Sequence, residues 1–444
     1  MNIIDLSKKN LISKFLDGLF LNILLRVKGI IYLPILVNFF SKSDIGVVSL
    51  WQSISSLLMG LYLLNIPDSS NRVILDYKKN NNDQKITETI STIFSFSLIV
   101  FLIVSIILTV FYYSFFNNDD SDFFEILILL VFSKIVGKLA IFTFQIFQKS
   151  KLIIKTQLTI EYGSLLIVLF GIYILNINDI KYVIFAYMSV SFMMGILLLI
   201  KLYEYYPYKF LINSDILKKL LKISLFLLPN VYALIIIQNS DFVMIKYFWS
   251  LVEVGEYSFS YTIGSVVGGL SMAVTFFWYS SAVYADDELL SRMVVKINTY
   301  MPILLFAVVL FYYFVTQPLI NLINSDYLIV NNVIQILIIG FFVNIFIQIL
   351  SGTLYAKNKE RLILYSVLTG MVINIILNFI LIPRYGLYGG ALATTIAYLT
   401  IFIIQYKYVR ELLPKLKSIK NNFNFIVLLI ISILYITINF IGRT

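Results

Sequence analysis

The chain has 444 residues, 60% of them hydrophobic and 13% charged, with a formal net charge of +10. A soluble protein does not hide that much apolar surface, so the composition places the chain in a membrane. Cys and His are absent, which excludes disulfides, thiol nucleophiles, His proton relays and the usual transition-metal ligands; neither a cofactor nor a metal is expected.

Apolar runs of about 20 residues, each able to cross roughly 30 Å of hydrocarbon as a helix, recur along the whole sequence. In chain order they predict spans at about 15–40, 45–66, 88–113, 123–146, 152–175, 180–203, 223–248, 255–278, 297–319, 330–351, 361–382, 387–406 and 423–441. No connection between them exceeds about twenty residues, far below the size of a separate domain. That leaves no room for a soluble catalytic domain, and the chain is not expected to be an enzyme. Lys8, Lys9 and Lys14 lead into an apolar stretch too long for a signal-peptide h-region, so the first span is expected to be retained.

Basic residues favour cytoplasmic loops. Lys8, Lys9 and Lys14 precede the first span, Arg72, Lys78, Lys79 and Lys85 follow the second, and Lys149, Lys151 and Lys155 follow the fourth. Later even-numbered spans repeat the pattern, ending with Lys407, Arg410, Lys415, Lys417 and Lys420 after the twelfth. The alternate loops hold only isolated bases such as Lys42, Lys181 and Arg384, and the 117–122 loop carries three Asp and no base. The N-terminus is therefore expected in the cytoplasm. Bases scattered over short loops are an orientation signal and no nucleic-acid footprint; the expected partner of the surface is the bilayer itself.

Five charges fall deep within predicted spans: Arg26, Lys28, Lys134, Lys138 and Glu161. A charge at the bilayer centre costs at least about 2.5–3.5 kcal/mol, so such groups face water, a charged partner or a substrate. Four of these five are cationic, which points to an anionic cargo. Lys134 and Lys138 are four residues apart and share one helix face. Glu161 lies at similar depth on the fifth span and is a partner for one of them. Asp241, in the outer half of the seventh span, either answers a base in the first helix as a gate or pairs with Lys246. Glu161 and Asp241 are thus candidates for gating or ion coupling.

The chain is duplicated. Residues 38–50, NFFSKSDIGVVSL, match residues 247–259, YFWSLVEVGEYSF, aligning Ser41 with Ser250, Asp44 with Glu253, Gly46 with Gly255 and Ser49 with Ser258 at an offset of 209. FQKSK at 147–151 and YAKNK at 355–359 agree at an offset of 208. Such an offset covers six spans and returns to the same side of the membrane, so the halves are expected to be parallel repeats with the substrate path between them. The expected fold is an all-α polytopic membrane protein: two six-helix lobes around a central cavity, residues 1–203 and 223–406, joined by a cytoplasmic linker at 204–222. A basic segment and an extra C-terminal helix fill 407–444.

At this level of detail the sequence resembles the multidrug, oligosaccharidyl-lipid and polysaccharide exporter superfamily, in particular its polysaccharide (O-antigen type) flippase branch. The resemblance is strongest in LPNVYALIIIQNSDFVMIKYFWSLVEVGEY, with Pro229, Asp241, Glu253, Gly255 and Tyr257 at the family's positions. The SKSDIG turn, the small polar run ending in Arg72 and RYGLYGGALATTIAY at 384–398 also match. The family core has twelve helices, so the thirteenth span is a departure.

The resemblance implies a transporter that moves undecaprenyl-diphosphate-linked oligosaccharide to the external leaflet of a bacterial inner membrane by alternating access. It further implies a role in surface polysaccharide biosynthesis beside polysaccharide polymerases. Arg26, Lys28, Lys134 and Lys138 are then the substrate-binding residues, since Arg and Lys bind pyrophosphate through charge-assisted hydrogen bonds. A cation-coupled multidrug antiporter on the same fold is the alternative; it favours buried carboxylates over buried bases.

Overall fold

The computed structural model describes residues 24, 28–29, 31–115, 121–147, 149–417, 427 and 430–438. Every long regular element among them is an α-helix. Helix α1 covers 31–39, followed by α2 (Lys42–Leu63), α3 (Ile66–Lys79), α4 (Asp83–Phe115), α5 (Ser121–Ile146), α6 (Ser150–Tyr173) and α7 (Lys181–Tyr205). The second half comprises α8 (Ser214–Phe248), α9 (Leu251–Tyr284), α10 (Asp287–Ile323), α11 (Asn331–Ala356), α12 (Glu360–Tyr385), α13 (Leu387–Leu412) and α14 at 430–438. Nine helices among the described residues are long and apolar enough to cross a membrane. The predicted spans at 15–40 and 423–441 run in part through residues outside the described set.

Between the second and third predicted spans the chain forms α3, which sequence analysis reads as a loop. Its segment IPDSSNRVILDYKK is too polar and too short for a span, yet Pro67 sits in its first turn and Lys78 and Lys79 in its last. Proline is pre-organised for a first turn, and cations complement the C-terminal end of the helix dipole.

Packing divides the chain into two compact units, residues 1–50 with 236–444, and residues 51–235. In the first, α11 is apolar on all sides and buried along most of its length, packed against α9 and α13. Gly264 and Gly268, spaced as GxxxG on α9, face Leu337 and Phe341 of α11, the close packing that small residues allow. Gln405 donates to Ser366 and accepts from Ser351, each at 2.9 Å, and so ties α11, α12 and α13. The extra helix α14 docks through the Tyr435 hydroxyl on Gln335 of α11.

The duplication becomes physical in this unit. Ser41 and Asp44 form a reciprocal cap at the start of α2, the Asp44 carboxylate accepting from Ser41 N at 3.1 Å and from Ser41 Oγ at 2.7 Å. Ser250 and Glu253 pair in the same way at the start of α9. Gly46 and Gly255 then bring the two helices together backbone to backbone: a Cβ on Gly46 would lie 1.9 Å from Leu251 O, and one on Gly255 1.9 Å from Lys42 O. One turn on, Ser49 Oγ donates to Ser258 Oγ at 2.6 Å. Every one of these pairs differs by 209 in sequence number, so a local two-fold axis passes between Gly46 and Gly255. The Lys42–Glu256 ion pair, 2.7 Å, flanks the seam.

The second unit is built on a core of buried apolar residues including Tyr62, Ile90, Val131, Phe142 and Leu202. The connector after α7 lies on α4, where hydroxyls replace a backbone partner. Lys209 N donates to Ser91 Oγ at 3.0 Å, Leu211 N to Ser95 Oγ at 3.0 Å and Asn213 N to Thr92 Oγ1 at 3.1 Å. Replacing Ser91 and Ser95 by Ala and Thr92 by Val removes three acceptors, at about 1 kcal/mol each. The expected outcome is a midpoint of thermal unfolding in detergent lower by several degrees; an unchanged midpoint would mean that the connector is held by other contacts.

Candidate functional site

The second unit carries the cationic pair, with Lys134 half-buried and Lys138 exposed. Helices α5 and α7 approach so closely at Gly195 that a Cβ there would lie 2.9 Å from Val136 Cγ1 and 3.0 Å from Gly137 N. This contact fixes α5 between its two lysines. Lys134 Nζ donates to Ser55 Oγ of α2 at 2.5 Å, and Ser55 is itself oriented by donating to Gln52 O at 2.9 Å. Glu161 of α6 lies within electrostatic reach of the Lys134 ammonium and of the Tyr187 hydroxyl on α7. The hydrogen-bond acceptor of Lys134 is thus a serine that the sequence does not single out. Lys138, one turn further along α5, lines a cavity beside Tyr232 of α8. At the repeat-related positions of α11, Phe342 and Phe346 are buried with tilted rings 5.0 Å apart, so the second half carries aromatic packing where the first carries charge.

Lys28 is half-buried, with Nζ 4.6 Å from the centre of the Tyr32 ring one turn ahead. An aromatic face receives a desolvated ammonium well; the sequence had called for an aqueous or anionic neighbour. Arg26 lies outside the described residues.

The first unit holds a polar cluster centred on Asp241 of α8, which is fully buried. Tyr257 of α9 donates its hydroxyl to Asp241 Oδ2 at 2.5 Å, and Thr394 of α13 donates to the same oxygen at 3.3 Å. Phe242 N donates to Oδ1 at 3.0 Å. Two asparagines of α12 extend the network: Asn374 Nδ2 donates to Thr394 at 3.4 Å, and Asn378 Nδ2 donates to Asn374 Oδ1 and to Ser240 Oγ, each at 3.3 Å. Asn378 Oδ1 is buried with no hydrogen-bond partner. The described partners of Asp241 are hydroxyls and an amide, whereas the sequence suggested a base, Lys246 or one in the first helix. Asp241 thus ties α8 directly to α9 and α13, and to α12 through Thr394 and Asn374. Sequence reasoning found Asp241 as an intramembrane acid; it missed Tyr257 as its donor, although Tyr257 belongs to the matched turn, and Asn374, Asn378 and Thr394 carry no local signal.

Against known proteins, the family described as "Polysaccharide biosynthesis protein" matches residues 14–279. An uncharacterized membrane protein of Methanocaldococcus jannaschii, MJ1068, is 24% identical over 290 residues, 61% of this chain and 55% of its own length. A second protein of that organism, MJ1375, is 37% identical over 71 residues, 16% of this chain and 17% of its own. The chain thus aligns with little more than half of the first relative and a small part of the second. Among solved structures, the lipid II flippase MurJ in an inward closed conformation superposes with a TM-score of 0.66 at 15% identity, covering 97% of this chain and 96% of that one. An inward-facing multidrug resistance MATE transporter of the MOP superfamily gives 0.63 at 14% identity over 93% and 96%. A MOP superfamily transporter from Pyrococcus furiosus, described by a binding pocket of reversed polarity that suggests a different function, gives 0.51 at 13% identity over 91% and 95%. These likenesses establish the fold, and the family match covers more than half of the sequence: the chain is a multi-pass membrane protein of the polysaccharide biosynthesis protein family.

Proposed function

We propose that the protein is a flippase for oligosaccharide linked to a polyprenyl diphosphate, moved from the cytoplasmic to the external leaflet by alternating access of two six-helix lobes. The observation that carries this reading is the lysine pair on α5, with Lys134 anchored on Ser55 and Lys138 facing a cavity. A diphosphate supplies the anionic acceptors such a pair requires, and a protein that takes up organic cations has no use for it. Basic loops after the even-numbered spans support a cytoplasmic N-terminus. Polysaccharide polymerases acting on the delivered oligosaccharide are the natural partners, and the inner membrane of a bacterium is the setting that the O-antigen type resemblance implies.

A second reading, a cation-coupled multidrug antiporter, is favoured by the buried Asp241 cluster and by the MATE likeness. The two are separated by a proteoliposome assay with a fluorescent lipid-diphosphate sugar and with a fluorescent organic cation. Wild type is expected to move the first only. Lys134→Ala removes one charge-assisted hydrogen bond to substrate, about 1.5–3 kcal/mol, so translocation is expected to fall roughly 10- to 100-fold, with Lys134→Arg retaining part of it. Transport of the organic cation with none of the lipid-linked sugar would install the antiporter reading.

A further inference from the structure

Helix α2 ends in a left-handed break: Leu64 and Asn65 have φ of 46° and 56°. Asparagine tolerates this conformation, and the break turns the chain into α3, with Asn65 at its N-cap. An N-cap asparagine ordinarily gives its side-chain oxygen to the first turn's N–H groups. Asn65 makes no such bond, so the N-terminus of α3 is left uncapped by its own residue. The side chain lines a cavity of about 40 Å³ shared with Lys138. Asn65 is only 6% exposed, and its Nδ2 has no hydrogen-bond partner. A buried donor left unmet is rare in native proteins and points to an acceptor supplied from outside the chain.

The rest of the cavity is apolar, with Leu228, Val231, Tyr232 and Ile235 of α8 as its far wall. Two contacts hold that wall in place. Ser224 donates to Leu64 O at the break, and Gly60 lies so close to the Tyr232 ring that a Cβ there would meet it at 2.4 Å. Among the described side chains that line the cavity none is a carboxylate, and Lys138 and Asn65 bring an ammonium and an amide N–H to it beside the start of α3. That set suits an anion, and a phosphate above others. A cavity of about 40 Å³ admits a phosphate group or a few waters, and no sugar. The break also lies at the end of α2 from which the basic loop begins, the side on which a lipid-linked substrate is collected.

We propose that the cavity formed by Asn65, Lys138 and the N-terminus of α3 binds one phosphate group of the lipid carrier's diphosphate. The inference rests on the flippase reading for the source of that phosphate. The same chemistry is offered by an anionic phospholipid head group, and the test separates the two. Purified protein in detergent is titrated with inorganic pyrophosphate, polyprenyl diphosphate and phosphatidylglycerol, as wild type, Asn65→Asp and Lys138→Gln. Asn65→Asp keeps the side-chain shape and sets a carboxylate against the anion; Asn65→Ser is the second variant should it misfold, and thermal midpoints report folding.

Each variant is expected to weaken polyprenyl diphosphate and pyrophosphate at least about tenfold, the loss of one charge-assisted contact, with phosphatidylglycerol binding unchanged. Wild-type affinity for the diphosphates in folded Asn65 and Lys138 variants overturns the site and leaves the flippase reading standing. An equal loss for phosphatidylglycerol overturns the carrier as the source and makes this a phospholipid site. If wild type moves no lipid-linked sugar while its pyrophosphate binding still depends on Asn65 and Lys138, the function falls and the site survives.

Discussion

Replacing Gly46 by valine is expected to open the seam between α2 and α9 and to abolish most transport. Even a Cβ at this position would lie 1.9 Å from Leu251 O and 2.9 Å from Leu251 C, on backbone that has no rotamer by which to yield. The helices must therefore part by about 1 Å or more, and the Ser49–Ser258 hydrogen bond of 2.6 Å is lost with the close approach. Overpacking costs typically about 1–3 kcal/mol, and each 1.4 kcal/mol shifts a two-state equilibrium about tenfold. If the seam opens and closes during transport, a seam that cannot close biases the protein towards the open form. The chain has no cysteine, so a Ser49→Cys, Ser258→Cys pair reports the seam cleanly. Oxidation is expected to cross-link the pair in a wild-type background and to fail when Gly46→Val is added, with flipping reduced at least about tenfold. Unchanged cross-linking and transport in the triple variant would show that the glycines are there for some other reason.

The seam also shows how far the sequence could be read. The offset of 209 was visible because Ser41, Asp44, Gly46 and Ser49 recur as Ser250, Glu253, Gly255 and Ser258. What those residues do was not: the Ser–acid pairs are caps, and the glycines meet each other rather than merely turning the chain. Spans were legible because about 20 apolar residues are a strong signal, whereas α3 was read as loop because a short helix with a polar face looks like a connection. Lys134 and Asp241 were conspicuous as charges in apolar surroundings. Their partners were not, because Ser55 is 79 residues from Lys134 and Thr394 is 153 from Asp241, and no local pattern encodes contacts at that separation. Asn65 escaped for a different reason: an asparagine before an Ile-Pro pair reads as a turn residue, and only the fold shows that its amide is spared from capping and left in a cavity.

The second large effect is expected at Asp241, where two substitutions separate a structural acid from a coupling one. Asp241→Ala removes the acceptor of the Tyr257 and Thr394 hydroxyls in a site that is fully buried. Each hydroxyl left without a partner costs about 1–3 kcal/mol, so a clear fall in thermal midpoint is expected whatever the role of the carboxylate. Asp241→Asn preserves shape and one acceptor oxygen while removing the charge, and it keeps the oxygens of Asn374, Asn378 and Thr394 in place. If Asp241 takes up a proton or cation during the cycle, the Asn variant folds with a near-wild-type midpoint, yet flipping no longer responds to an imposed ion gradient and falls at least about tenfold. Should Asp241→Asn flip lipid-linked sugar at the wild-type rate with its gradient dependence intact, the cluster is a structural tie between four helices, and the coupling group must be sought elsewhere, with Glu161 beside Lys134 the next carboxylate to test.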